Sequence, residues 1–196
     1  VLAGGLFIFM KKFDWYIEIY EHANCEWVEY LKSNKLYAES PLEKAFLGYW
    51  LLEFGSGNYI NNGNCLELFA PNWKQKINQG YETINKIVYQ KNVWKYKIDF
   101  TFSCEYPLMN KTFAAFDIFV ELDGHKFHEK TKQQVNYRNQ RDAFLNKQGL
   151  VYHLSGNKLY SNIDKTIESL ICYINEIAEK KFEEGARFFE IQKNNA

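Results

Sequence analysis

The chain has 196 residues, enough for one sizeable core and short for two, so a single main domain is expected. Hydrophobic residues at 46% and aromatics at 18% exclude a disordered chain. Lys and Arg number 24 against 24 Asp and Glu, so the molecule lacks the overall basic excess of a general polyanion binder.

Charge is distributed unevenly. Phe13–Leu31 holds five acids (Asp14, Glu18, Glu21, Glu26, Glu29) and no Lys or Arg. Lys126–Lys147 holds six bases against two acids, Glu129 and Asp142. The basic run suits a phosphate backbone, or is a solvated helix face. The four cysteines (Cys25, Cys65, Cys104, Cys172) show no CxxC and no zinc-ribbon spacing, which fits a reducing, cytoplasmic setting. The apolar Val1–Met10 is about half a membrane span, with no basic stretch before it, so neither an anchor nor a signal peptide is expected.

In chain order, Asp14–Leu31 has an amphipathic helical pattern, although its aromatics also suit a strand. Two uses are open to it. Either it packs on the core through Trp15, Ile19 and Trp27, or it mimics nucleic acid and covers the basic run. Ser40-Pro41-Leu42-Glu43 opens a helix with a capping box, and Phe46, Leu47, Trp50 and Leu51 form its apolar face. That helix should stop near Phe54, before Gly55-Ser56-Gly57-Asn58. Cys65–Phe69, Lys86–Gln90, Tyr96–Phe102 and Phe113–Leu122 read as strands, the last two as an antiparallel pair. Glu129–Gln148 is helical, with Gly149 at the C-cap, and Leu150–Leu154 is a short strand. Ile167, Leu170, Ile171, Ile174 and Ile177 recur at helical spacing after a cap at Ser161 or Asn162. The order predicts an α/β sandwich.

Two acids stand in apolar strands: Asp99, within Tyr96–Phe100, and Glu121, at the end of Phe116–Leu122. Burying a carboxylate without a partner is costly. At the ends of adjacent strands the two can share a divalent cation, or each can be an edge-strand acid or one half of an ion pair. Lys130, Gln134, Arg138 and Arg141 fall within roughly 80° on one helix face. Because that face borders the apolar seam of Tyr137, Phe144 and Leu145, these groups need partners, either Asp142 and the other acids or a phosphate. His125-Lys126-Phe127-His128 lacks cysteine partners for zinc, and His125 beside the acids is a candidate proton donor. His153, inside Leu150–Leu154, reads as a satisfied core histidine.

Several motifs then add a family likeness. They are Ser40-Pro41-Leu42-Glu43, Gln90 ahead of Tyr96–Phe100, Val120–His128, Arg141-Asp142 with Leu145, and Gly149–Val151, together spanning about half the chain. In order and spacing they resemble the PD-(D/E)XK nuclease superfamily, in particular the branch of very-short-patch-repair endonucleases and domain-of-unknown-function 559 proteins. The resemblance implies a restriction-endonuclease-like core, a mixed open sheet flanked by helices, over residues 40–180. Residues 1–39 would form an acidic aromatic segment packed on it, and 181–196 a helical extension or tail.

The resemblance also implies a metal-dependent endonuclease acting on nucleic acid, with DNA the expected partner and Mg²⁺ or Mn²⁺ the cofactor. Asp99, Glu121 and the main-chain carbonyl of Leu122 would hold the metal, and Glu43 would approach the site. Where the superfamily has lysine, two residues after Glu121, this chain has Asp123, as in the related branch. Lys126, Lys130 or Gln134 would then supply the polar group that orients water, and Arg138 and Arg141 would contact phosphate. Cutting both strands would call for two sites and hence a homodimer. The missing lysine leaves a second possibility, an inactive nuclease-fold protein that binds nucleic acid or a partner protein.

Overall fold

The computed structural model describes residues 11–22, 29, 31–33, 37–54, 59–61, 66–69, 84–108, 113–124 and 131–194. Its elements are α1 (Lys12–His22), α2 (Pro41–Phe54), β1 (Tyr59–Asn61), β2 (Leu66–Phe69), β3 (Ile84–Val93), β4 (Tyr96–Pro107) and β5 (Phe113–Asp123). They continue with α3 (Lys132–Leu145), β6 (Leu150–Ser155), α4 (Gly156–Ser161) and α5 (Ile163–Asn194). The six strands form one sheet in sequence order. β1 to β5 pair antiparallel, and β6 lies parallel to β5 after the α3 crossover. The expected mixed open sheet flanked by helices is therefore present.

Two cores fill its faces. On one, Phe46 and Trp50 of α2 meet Phe100 and Phe102 of β4, with Ile118, Val120, Leu154 and the α5 stripe Ile163, Ile167, Leu170 and Ile174. On the other, Leu145 of α3 packs with Tyr96, Ile98 and Phe119. Alternation along β5 sends Ile118 and Val120 one way and Phe119 the other, as a pleated strand requires.

β4 breaks that rule. Ile98 and Phe100 would share a face in a regular strand, yet they belong to opposite cores. The cause lies across the ladder, which pairs Tyr89 with Phe100 and Lys91 with Ile98 but leaves out Gln90 and Asp99. Gln90 there adopts a left-handed φ of 59°. The sheet thus changes faces at Gln90 and Asp99, and Asp99 stands at the crossing.

Several local expectations are met. Ser40 and Glu43 close the capping box, with Ser40 N–H donating to Glu43 Oε2 at 3.3 Å and Glu43 N–H to Ser40 Oγ at 3.5 Å. Asn162 takes the cap of α5 through Lys165 N–H at 3.1 Å. The α5 helix continues without a break through residue 181 to Asn194, so the stretch expected as a helical extension or tail begins inside this helix. α1 buries Phe13, Tyr16 and Tyr20 against α2, on the face away from α3. The described part of the acidic segment therefore does not cover the basic helix; Trp27 lies outside the described residues.

Gly149 differs from its expected role. The C-cap of α3 is Asn146, in right-handed helical conformation. A Cβ on Gly149 would stand 2.6 Å from the Asp117 carbonyl oxygen and 2.9 Å from the Phe119 ring, so glycine is needed there for close approach to β5. No helix among the described residues is long and apolar enough to cross a membrane. Val1–Met10 and the turn residues 55–58 lie outside the described residues.

Candidate functional site

β4 and β5 bring the two strand acids together. Their last paired residues are Phe100 and Val120, and the same register one residue further sets Asp99 beside Glu121. Asp99 Oδ2 accepts the Leu122 N–H at 2.8 Å. Burial is the main reason the Asp99 carboxyl is pushed up to about 6. That hydrogen bond opposes the shift and the nearby Glu43 carboxylate adds to it, while Arg141 pulls down and Asp123 pushes up. Asp99 thus feels charges from both sides of the sheet, as its place at the crossing requires.

Glu121 points to the α3 side and is only 5% exposed. Burial first, and then the Asp99 charge, push its carboxyl up to about 7, against the pull of Arg141 and His153. One oxygen, Oε2, lies 3.1 Å from the Arg141 guanidinium. The other, Oε1, is buried without a hydrogen-bond partner among the described residues. A buried polar oxygen left unpaired costs about 1–3 kcal/mol, more when charged.

Around this pair α3 and β6 build an ionic network. Arg138 meets Asp123 at 3.0 Å and Asp142 at 3.6 Å. Arg141 bridges Glu121 and Asp142, the latter at 3.4 Å. His153, in parallel register with Glu121, brings Nε2 to 3.1 Å from Asp142. Its Nδ1 is 3.2 Å from Asp123, close enough for an ionic contact but out of line for a hydrogen bond.

Glu43 reaches the site from α2. Its Oε1 accepts from Gln90 Nε2 at 2.8 Å and from the Tyr89 hydroxyl at 3.2 Å. That couples the capped start of α2 to the point where the sheet changes faces.

The structure therefore gathers Asp99, Glu121, Asp123, Glu43, Arg138 and Arg141. Gln134 sits apart from the acids' contacts, in the α3 capping box, where its Oε1 accepts from Thr131 N–H at 2.9 Å on an exposed surface. His125, Lys126 and Lys130 lie outside the described residues. Of the two partners open to Arg138 and Arg141, the structure shows the acids. His153 is corrected from a satisfied core histidine to a member of this network. The signal was available: alternation in Leu150–Leu154 puts Val151 and His153 on the face opposite Leu150 and Leu154, which is the face of Glu121 once β6 runs parallel to β5.

Among the described residues no three His, Cys, Asp or Glu side chains are grouped to hold a metal by themselves. Mg²⁺ does not need three, since it is commonly held by one or two carboxylates with water completing an oxygen shell. An all-oxygen pair with one orphaned buried oxygen fits such a hard cation. No family model, curated protein or solved structure matches the chain.

Proposed function

We propose that this chain is a metal-dependent endonuclease that hydrolyses phosphodiester bonds in nucleic acid, with DNA as its substrate, on a restriction-endonuclease-like core. The observation that carries the reading is the pair Asp99 and Glu121. Two carboxylates on neighbouring strands are both pushed up by burial, and Glu121 Oε1 has no partner among the described residues. Such a pair is under-compensated by the protein alone, and a divalent cation is the simplest group that would compensate it.

Asp99, Glu121 and the Leu122 carbonyl would hold Mg²⁺ or Mn²⁺. When bound, the ion lowers the pKa of a water and stabilises charge on the phosphate. Asp123 and Asp142 would keep Arg138 and Arg141 placed beside the carboxylates, with His153 against both acids. Those guanidiniums suit bidentate contact with a phosphate that displaces their carboxylate partners. Glu43 would add negative charge next to Asp99 and so favour the cation. Lys126, Lys130 and His125, which lie outside the described residues, are the candidates that the sequence offers for orienting water or passing a proton. Cleavage of both strands would need two such sites, as in a homodimer.

A specific observation favours a second reading, an inactive nuclease-fold protein that binds nucleic acid or a partner protein. Arg141 and Arg138 already give Glu121 and Asp123 protein cations, and Asp123 stands in the lysine position. Plasmid and oligonucleotide cleavage with Mg²⁺ or Mn²⁺, beside Asp99→Ala and Glu121→Ala, separates the two. Cleavage lost in both variants is expected. Folded wild-type protein that cuts nothing, and that binds no Mn²⁺ in a titration, would sink the enzyme reading.

A further inference from the structure

The β3–β4 hairpin turns through Trp94 and Lys95, between the paired residues Val93 and Tyr96. Trp94 has a left-handed φ of 55°. Two-residue hairpin turns of this kind normally place Gly, Asn or Asp at that position, and a bulky residue there is strained. The same ring is 70% exposed. A large apolar side chain held in a strained backbone and left mostly in water is an outlier of the kind that points to function.

The surroundings indicate what the ring receives. Trp94 leans on Phe144 of α3, with centroids 5.1 Å apart and planes 30° from parallel. Tyr96 joins it at 6.0 Å, and Tyr137, itself 56% exposed, extends the row from Tyr96 at 5.9 Å. Lys95 Nζ lies 4.6 Å from the Trp94 ring centre. Ile84–Ile98 contains Lys86, Lys91, Lys95 and Lys97 and no acid. An exposed ring with an ammonium over its face matches a ligand that is itself flat and anionic.

We infer that Trp94 and Tyr137, the exposed rings on either side of buried Tyr96, form a stacking platform for unpaired bases of a single-stranded nucleic acid whose phosphates meet Lys95. Base faces are open only where a strand is unpaired, and stacking on aromatic rings tolerates any sequence. The platform is continuous with the carboxylate pair. Tyr96 precedes Asp99 by three residues, roughly 10 Å along the strand. Tyr137 and Arg141 are four apart, on one side of α3. The inference rests on the nucleic-acid reading above for its ligand class, and it narrows that reading to strands with exposed bases.

The test is a titration of the full chain, in EDTA, with an oligothymidylate of about twelve nucleotides and with the same strand in duplex. Wild type, Trp94→Gly, Trp94→Phe and Asp99→Ala are compared. Wild type should bind the single strand at least ten-fold more tightly than the duplex. Trp94→Gly should weaken single-strand binding roughly 5- to 100-fold, the range expected for losing one stacked base. Trp94→Phe should stay within a few-fold of wild type, because a ring remains. Glycine relieves the backbone at position 94 but loses the ring contacts with Phe144 and Tyr96, so the Trp94→Gly melting temperature should stay close to wild type. Should it fall, Lys95→Glu carries the same comparison from the exposed second turn position.

Single-strand binding by Trp94→Gly within two-fold of wild type, or duplex bound as tightly as single strand, overturns the platform. The first of these results is also what a protein partner for this surface would give. Because no metal is present, failure of the nuclease reading leaves these affinities intact. Failure of the platform instead shows as Trp94→Gly binding and cutting like wild type.

Discussion

Arg141 holds one oxygen of Glu121 at 3.1 Å while the other oxygen of the same carboxylate, Oε1, is buried with no hydrogen-bond partner among the described residues. The guanidinium is a cation that the protein itself supplies to this carboxylate. Two effects follow from removing it. In Arg141→Gln the buried carboxylate loses its compensating charge, and breaking a buried ion pair costs about 3 kcal/mol or more at neutral pH. The same change removes a positive charge that would repel a divalent ion and compete with it for the Glu121 carboxylate. Urea unfolding at pH 7.5 should show the lower stability, and Mn²⁺ calorimetry on Arg141→Gln should show tighter binding. Unchanged Mn²⁺ affinity would mean that Arg141 and a metal do not compete for Glu121.

The same carboxylates set the pH dependence of the metal-free protein. Asp99 and Glu121 are raised to about 6 and about 7 from 3.8 and 4.5. Their folded forms thus bind protons more tightly than the unfolded chain does. The stability they contribute is full below the unfolded values and is lost as pH rises through the folded ones. Metal-free protein should therefore lose stability between about pH 4.5 and pH 7, by on the order of a few kcal/mol in all. Glu121→Gln should flatten most of that slope, and saturating Mn²⁺ should restore stability at pH 8 by favouring the ionised pair. Thermal melts across this range provide the check. A wild-type slope unaltered in Glu121→Gln would assign the pH dependence to other groups.

Much of this arrangement is legible in residue order. The capping box at Ser40–Glu43, the antiparallel pair of Tyr96–Phe102 and Phe113–Leu122, and the helix before Leu150 all depend on local spacing, and the structure contains each. Asp99 and Glu121 stand out as acids in apolar strands for the same reason. The partners of Arg138 and Arg141 were not legible in that way. A helix period shows which residues share a face, but not whether Asp123, Asp142 or a phosphate meets them. Alternation in Leu150–Leu154 sets His153 apart from Leu150 and Leu154, but does not show which neighbouring strand or which acids that face meets. The reversal of faces at Gln90 and Asp99 leaves no signal in polarity at all, since it depends on one left-handed residue without glycine.

Helix packing on the far side of the sheet offers a test independent of chemistry. At Gly48 of α2 a Cβ would overlap the Tyr16 main-chain carbonyl, so α1 crosses α2 backbone to backbone. Neither carbonyl nor helix can yield as a flexible side chain would. Gly48→Ala should therefore destabilise the fold by about 1–3 kcal/mol despite alanine's better helix propensity. A measured stabilisation in urea would show that α1 does not sit against α2 at this distance.

Asp142 is the residue on which both arginines and the histidine converge: Arg138 at 3.6 Å, Arg141 at 3.4 Å and His153 at 3.1 Å. Replacing it with Asn keeps the size of the side chain and removes one negative charge from a cluster of three acids and two guanidiniums. Asp123 still faces Arg138, and Glu121 still faces Arg141. If these guanidiniums also serve phosphate, Asp142→Asn should raise affinity for DNA a few-fold in low salt and steepen its salt dependence, as released counterions require. The cost should be a modest loss of stability, about 1–3 kcal/mol, from the weakened contacts of Asp142 with His153, Arg138 and Arg141. Fluorescence anisotropy at several salt concentrations measures the first effect, and urea unfolding the second. A loss of stability with no change in DNA affinity would assign Arg138 and Arg141 to holding α3 on the sheet, and would move phosphate binding to other cations of this face.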